Sequence, residues 1–190
     1  TTFKDFLDKS LINLDSSNKD RQSNTSQLLD TYKTLLNDFN TSHSRFINTL
    51  NDEQTKIKKL DIDSPLVNKL ITDFTSNIIS MQTASNTFQE FLTTSLSTAN
   101  TISSTSLVDI QRLLDAQKEK YKSYATSIES FNALLDNELK NIQSKQSNVN
   151  SNANTNQILD TYQTHVQTMK DSTTTFKDFL DKSLINLDSS

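Results

Sequence analysis

The chain runs for 190 residues without a single glycine and with one proline, Pro65. Few features restrict a fold more. Tight hairpin turns and bulges depend on residues that tolerate positive φ, glycine first among them. Phosphate loops, nucleophile elbows and dinucleotide turns are likewise built on glycine. The common nucleotide-binding motifs are therefore excluded, and the composition argues against a sheet-rich fold. There is no Cys, which excludes disulfides and thiolate metal ligation. Arg21, Arg45 and Arg112 are the only arginines and the net charge is −4, a poor match to a nucleic-acid surface. No run of about 18 apolar residues is present, so no membrane span is expected. The N-terminus lacks the basic and apolar regions of a signal peptide, and with no Met at position 1 the sequence reads as a fragment of a longer protein.

Self-similarity supplies the next constraint. Residues 1–17, TTFKDFLDKSLINLDSS, recur letter for letter as residues 174–190. Residue 1 meets residue 174, a period of 173. Either the chain is a window on a tandem array or the duplication was engineered. The array is the simpler explanation, because recent amplification of DNA leaves unbroken identity.

A shorter period lies beneath. Gln27-Leu28-Leu29-Asp30-Thr31-Tyr32 matches Gln157-Ile158-Leu159-Asp160-Thr161-Tyr162. Phe46, Phe88, Phe131 and Phe176 fall in one register, as do Glu53 with Glu138 and Ile57 with Ile142. The 173-residue period thus divides into four diverged units of about 43 residues, the signature of a repeat architecture.

Within each unit the apolar residues step by threes and fours. The first carries Leu28, Tyr32, Leu36, Phe39, Phe46, Leu50 and Ile57. That spacing draws a stripe along one face of a helix. The stripes break at Asp63-Ser64-Pro65, at Ser103–Ser106 and at 147–155. Ser64 before Pro65 combines a capping residue with proline at the first helical position. The pattern predicts helices over about 25–62, 65–102, 106–146 and 155–188. Residues 15–26 contain no breaker and can continue as helix. One helix cannot bury its own stripe, and short connections make successive helices antiparallel neighbours. The expected fold is an all-α, elongated antiparallel four-helix bundle over residues 18–190. Residues 1–17 are the tail of a preceding repeat's last helix.

Most polar residues in the pattern have a structural reading. His43 sits on the stripe between Phe39 and Phe46 and reads as a polar residue accommodated in the seam. The other histidine, His165, is not its repeat equivalent. Asp30, Asp115 and Asp160 read as first-turn carboxylates favoured by the helix dipole. Lys56, Lys58 and Lys59, and Lys118, Lys120 and Lys122, read as solvated faces. No nucleophile stands with a base at usable spacing, so the sequence predicts no enzyme, no catalytic residue, no metal and no cofactor.

The four-unit pattern resembles helical-bundle repeats of filamentous or surface-displayed proteins, such as spectrin-like repeats and the helical repeats of giant adhesins. It departs from spectrin repeats in having four helices and no Trp. A second resemblance, to BAR-type scaffolds, rests on Leu113-Leu114-Asp115-Ala116-Gln117-Lys118-Glu119-Lys120-Tyr121 through Leu135. The first resemblance implies a spacer, stalk or filament unit whose partners are neighbouring repeats or identical chains, on an extracellular surface or in a filament rather than in the cytoplasm. The second implies a scaffold that binds a membrane or a partner. The tail residues Phe3, Phe6, Leu7, Leu11 and Leu14, with Phe176, Phe179, Leu180, Leu184 and Leu187, are the expected repeat-to-repeat interface.

Overall fold

The structure is a computed structural model. It describes the backbone of residues 18–103, 105–148 and 153–188, and the side chains of 24–103, 105–147 and 153–185. Of the described residues 94% are helical and none is in a strand. The chain is an all-α four-helix bundle: α1 (Asn18–Lys58), α2 (Pro65–Thr101), α3 (Leu107–Asn148) and α4 (Ala153–Asp188).

Local chemistry accounts for the helix ends. At the end of α1 the Lys59 and Leu60 amides donate to the Lys56 and Ile57 carbonyls at 3.2 and 3.1 Å. These tighter bonds close the last turn, and Lys56 and Lys58 place positive charge at the negative end of the helix dipole. Ser64 caps α2: its hydroxyl accepts from the Val67 amide at 3.4 Å and its carbonyl from the Asn68 amide at 2.9 Å. Pro65 follows at the position where its missing N–H costs nothing. Ser106 caps α3 in the same way, accepting from the Asp109 amide at 3.4 Å and the Ile110 amide at 3.1 Å. α1 begins at Asn18, earlier than the position near 25 where the apolar stripe starts, because no residue from Asn18 to Ser26 breaks a helix.

So much threonine is unusual for long helices, since a branched Cβ loses side-chain freedom there. The hydroxyls offset this by bonding back to the preceding turn. Thr34 donates to the Asp30 carbonyl at 3.0 Å, Thr55 to Asn51 at 2.9 Å and Thr164 to Asp160 at 3.1 Å. Buried Thr173 donates to Met169 at 2.6 Å and leaves only its methyl to pack.

The helices contribute to two compact units. Unit 1 takes the described part of α1 up to His43, then Thr87–Ala125, and α4 from Asp178. Its core is aromatic. Phe39 stacks on Tyr121 (centroids 4.1 Å, 22°) and meets Phe88 edge-on at 5.8 Å, while Phe88 stacks on Tyr124 (4.0 Å, 8°). Leu28, Leu36, Leu92, Ile110 and Leu180 fill the rest. Unit 2 takes Ser44–Asn86 and Thr126–Lys177. Phe46 stacks on Phe176 (5.1 Å, 12°), and Ile78, Leu135, Leu159 and Val166 are fully buried in the same unit. Each such side chain contributes about 1.5–3 kcal/mol of transfer free energy. This offsets the low hydrophobic content of 33%.

Positions that match in sequence are buried alike. Phe46, Phe88, Phe131 and Phe176 are all core residues. So are the four residues three places before them, His43, Ser85, Ile128 and Thr173, despite their different chemistry. Asp30, Asp115 and Asp160 depart from expectation. Each is exposed and lies well inside its helix, because α1, α3 and α4 begin at Asn18, Leu107 and Ala153. The dipole field fades within the first turn, so these carboxylates are solvated outer-face groups.

Candidate functional site

The most distinctive chemistry lies inside the bundle, where each unit holds one polar cluster. In unit 1, His43 is fully buried on α1. Its Nδ1 lies 2.8 Å from Gln89 Oε1 and its Nε2 2.7 Å from the Tyr124 hydroxyl. The amide oxygen only accepts, which assigns the proton to Nδ1. Nε2 then accepts from Tyr124. Gln89 passes the chain on by donating Nε2–H to Asn40 Oδ1. The imidazole also packs edge-on against Phe88, centroids 5.1 Å apart. Burial lowers its pKa from 6.5 to about 4, with the Gln89 hydrogen bond opposing part of the shift. His43 is therefore a neutral ring holding α1, α2 and α3 together. The sequence placed it correctly on the seam but did not reveal its partners, which come from two other helices.

Burial acts on the neighbouring phenol too. Tyr121 is raised well above 10, first by desolvation, with its Gln117 hydrogen bond opposing. Gln117 Nε2 donates to that hydroxyl at 2.9 Å.

In unit 2, α4 is held by two carboxylates from different helices. His165 Nδ1 lies 2.6 Å from Glu53 Oε2 of α1. One turn earlier on α4, Tyr162 donates its hydroxyl to Glu138 Oε2 of α3 at 2.5 Å. The second oxygen of Glu53 takes Lys56 at 3.3 Å, and that of Glu138 takes the Asn141 amide at 3.5 Å. Burial raises the Glu138 pKa above the usual carboxylate range; the Tyr162 and Asn141 bonds pull it down and nearby Asp73 pushes it up. The Tyr162 hydroxyl is pushed far above 10 by burial and then by the adjacent carboxylate. Glu53 and Glu138 occupy matching sequence positions four residues before Ile57 and Ile142. That recurrence on the apolar stripe was the sequence signal for buried acids. The partners on α4 left no such signal.

One oxygen of each carboxylate reaches α4 and the other is met on its own helix by Lys56 or Asn141, so the arrangement clamps helices. Among the described residues, no group of three or more His, Asp or Glu is placed to hold a metal ion. Gln54, beside Glu53 on α1, is buried with neither side-chain polar atom bonded. A shallow groove of about 300 Å³ in unit 2 is lined by Leu66, Lys69, Leu70, Asp73, Asn141, Ser144 and Lys145. Its Lys69 and Asp73 pair with each other at 2.7 Å.

The residues expected at a repeat-to-repeat interface divide three ways. Phe176 and Leu180 are core residues, consumed within their own units. Phe179 is half-buried with its ring 5.4 Å from Phe39, and Leu184 is half-buried. Phe3, Phe6, Leu7, Leu11 and Leu14, and the side chain of Leu187, lie outside the described residues. The lysines Lys56, Lys58 and Lys59 are exposed, and Lys120 sits 5.9 Å over the Phe91 ring.

No protein-family model, curated protein or solved structure matches the chain. Among the described residues, no helix is long and apolar enough to cross a membrane. The fold defines the class, an all-α four-helix bundle with a polar clamp in each of its two units.

Proposed function

We propose that the chain is a non-enzymatic structural module, one period of a longer array, acting as a spacer, stalk or filament unit. One observation carries this reading: residues 1–17 and 174–190 are identical. Natural selection on a single bundle gives no reason for such a duplication, whereas an array supplies one. Two further features support it. The four sequence units place their matching Phe residues in the core, so each helix repeats the same packing instruction. The buried acids and histidine are spent on joining helices, which suits a load-bearing part better than a reactive one. Each period would add helices of 36–42 residues, about 54–63 Å at 1.5 Å per residue. The partners on this reading are neighbouring repeats or other copies of the chain.

The test is the number of 173-residue periods in the native gene, obtained from one long sequencing read through the locus. Several consecutive copies are expected. A single copy would overturn the array, leaving the terminal duplication as an engineered feature.

A further inference from the structure

The two units carry one packing pattern with different chemistry in it. Phe46, Phe88, Phe131 and Phe176 hold one register. Seven residues after them stand Glu53, Ser95, Glu138 and Ser183, and fourteen before them Tyr32, Phe74, Gln117 and Tyr162. In unit 2 two of these positions meet, where the Tyr162 hydroxyl donates to Glu138 Oε2 at 2.5 Å. In unit 1 the matching tyrosine is Tyr32 on α1, and the side chain beside its hydroxyl is Ser95 of α2. Serine lacks the methylene and carboxylate with which glutamate reaches a tyrosine across the core.

Three helices surround this place, in a further layer of the unit 1 core. Phe39 meets Phe88 edge-on, and Phe88 stacks on Tyr124. α2 and α3 run antiparallel there, since Phe91, just after Phe88, lies under Lys120, just before Tyr124. Two turns from those rings, about 10 Å along the axis at 1.5 Å per residue, α1 carries Tyr32, α2 Ser95 and α3 Gln117. They are 1%, 7% and 5% exposed. Gln117 Nε2 donates to the Tyr121 hydroxyl at 2.9 Å. The Tyr32 hydroxyl and Gln117 Oε1 have no hydrogen-bond partner in the protein. Burial pushes the Tyr32 pKa up to about 12, and Ser95 opposes part of that rise while standing outside bonding geometry. The first of the two unmet groups has a proton to give, and the second can only accept. Each carries a desolvation penalty until it is met. An anion would satisfy the phenol but face the amide oxygen with no proton to offer, and a metal cation would fail the phenol's proton. Water serves both through one atom, and it fits where a serine replaces a glutamate.

We infer that the Tyr32–Ser95–Gln117 layer of unit 1 is a binding site for one ordered water molecule, which accepts from the Tyr32 hydroxyl and donates to Gln117 Oε1. Its other hydrogen goes to Ser95 Oγ, completing the three or so bonds that a buried water makes. The water stands where the Glu138 carboxylate stands in unit 2, and it joins α1, α2 and α3. The site goes beyond the structural-module reading and does not rest on it, since it needs only the register within this chain and not the duplication of residues 1–17.

Oxygen-17 relaxation dispersion, which counts long-lived internal waters, tests this on the full chain. The wild type is expected to hold one more such water than Tyr32→Phe, which loses the hydroxyl and keeps the ring. Equal amplitudes in a variant of unchanged helicity overturn the inference. A crystal structure of the wild type reads the same site without any substitution, and decides the matter should Tyr32→Phe lose helicity. A solvent peak within about 3.2 Å of both the Tyr32 hydroxyl and Gln117 Oε1 is expected. A direct bond between those two atoms, or a well-ordered site with no solvent peak, equally overturns the inference.

Discussion

His43 should make unit 1 acid-sensitive. The imidazole is fully buried, donates to Gln89 and accepts from Tyr124. Its pKa falls from 6.5 to about 4 on folding, chiefly by desolvation. The unfolded chain therefore binds the proton more readily than the folded one. The neutral ring's stability is fully present above about pH 6.5 and is lost as the pH falls towards 4. A shift of that size, at 1.36 kcal/mol per unit, amounts to about 3 kcal/mol, a large share of a typical folding free energy. Glu138 works in the opposite direction: its raised folded pKa makes acidification favourable to the fold until the unfolded carboxylate also protonates. The His43 contribution is isolated by comparison with His43→Gln, which keeps a donor and an acceptor but does not titrate near neutrality. Urea unfolding followed by far-UV circular dichroism, at several pH values from about 7 to 4, gives both curves. The wild type is expected to lose about 3 kcal/mol relative to the variant over that range. Parallel curves would refute the reasoning, since Glu138 and the other acids are common to both proteins.

Three further outcomes follow from the packing and the clamps. Phe176→Ala empties the ring stacked on Phe46 and is expected to cost about 3–5 kcal/mol in thermal or urea unfolding; a loss under about 1 kcal/mol would mean that the site is not a packed core. Glu138→Gln keeps an acceptor for Tyr162 while removing the buried charge. It should be neutral or stabilising at pH 7 and should steepen the acid limb, because the stability that Glu138 gains on protonation is gone, whereas Glu138→Ala, which strands the Tyr162 hydroxyl, should cost about 1–3 kcal/mol. Gln54→Leu replaces a buried, unbonded amide with an apolar group of similar size and is expected to raise stability by about 1–2 kcal/mol; a clear loss would point to an ordered water or a partner bonded to that amide.

What could be read from the sequence was whatever a single helix determines. The absence of glycine, the three-and-four spacing of Leu28 through Ile57, and the cap at Ser64 are local instructions, and local geometry carries them out. The recurrence of Phe46, Phe88, Phe131 and Phe176 extended this to the core, because a buried stripe needs only the helical period. Asp30, Asp115 and Asp160 show where local reading faltered. α1 and α4 begin before their apolar stripes do, and Asp115 lies about two turns past the Leu107 start of its own stripe, so all three acids stand beyond the dipole's reach. The clamps belong wholly to the tertiary structure. Gln89 and Tyr124 meet His43 from 46 and 81 residues away, and His165 meets Glu53 from 112. Such pairs depend on which helices face one another and at what height. Apolar residues can exchange neighbours at little cost, so the stripe alone leaves that choice open. Directional hydrogen bonds between buried groups cannot, because each unmet donor or acceptor is penalised. The sequence thus determined four helices and their apolar faces, and only their packing decided which polar residue would meet which.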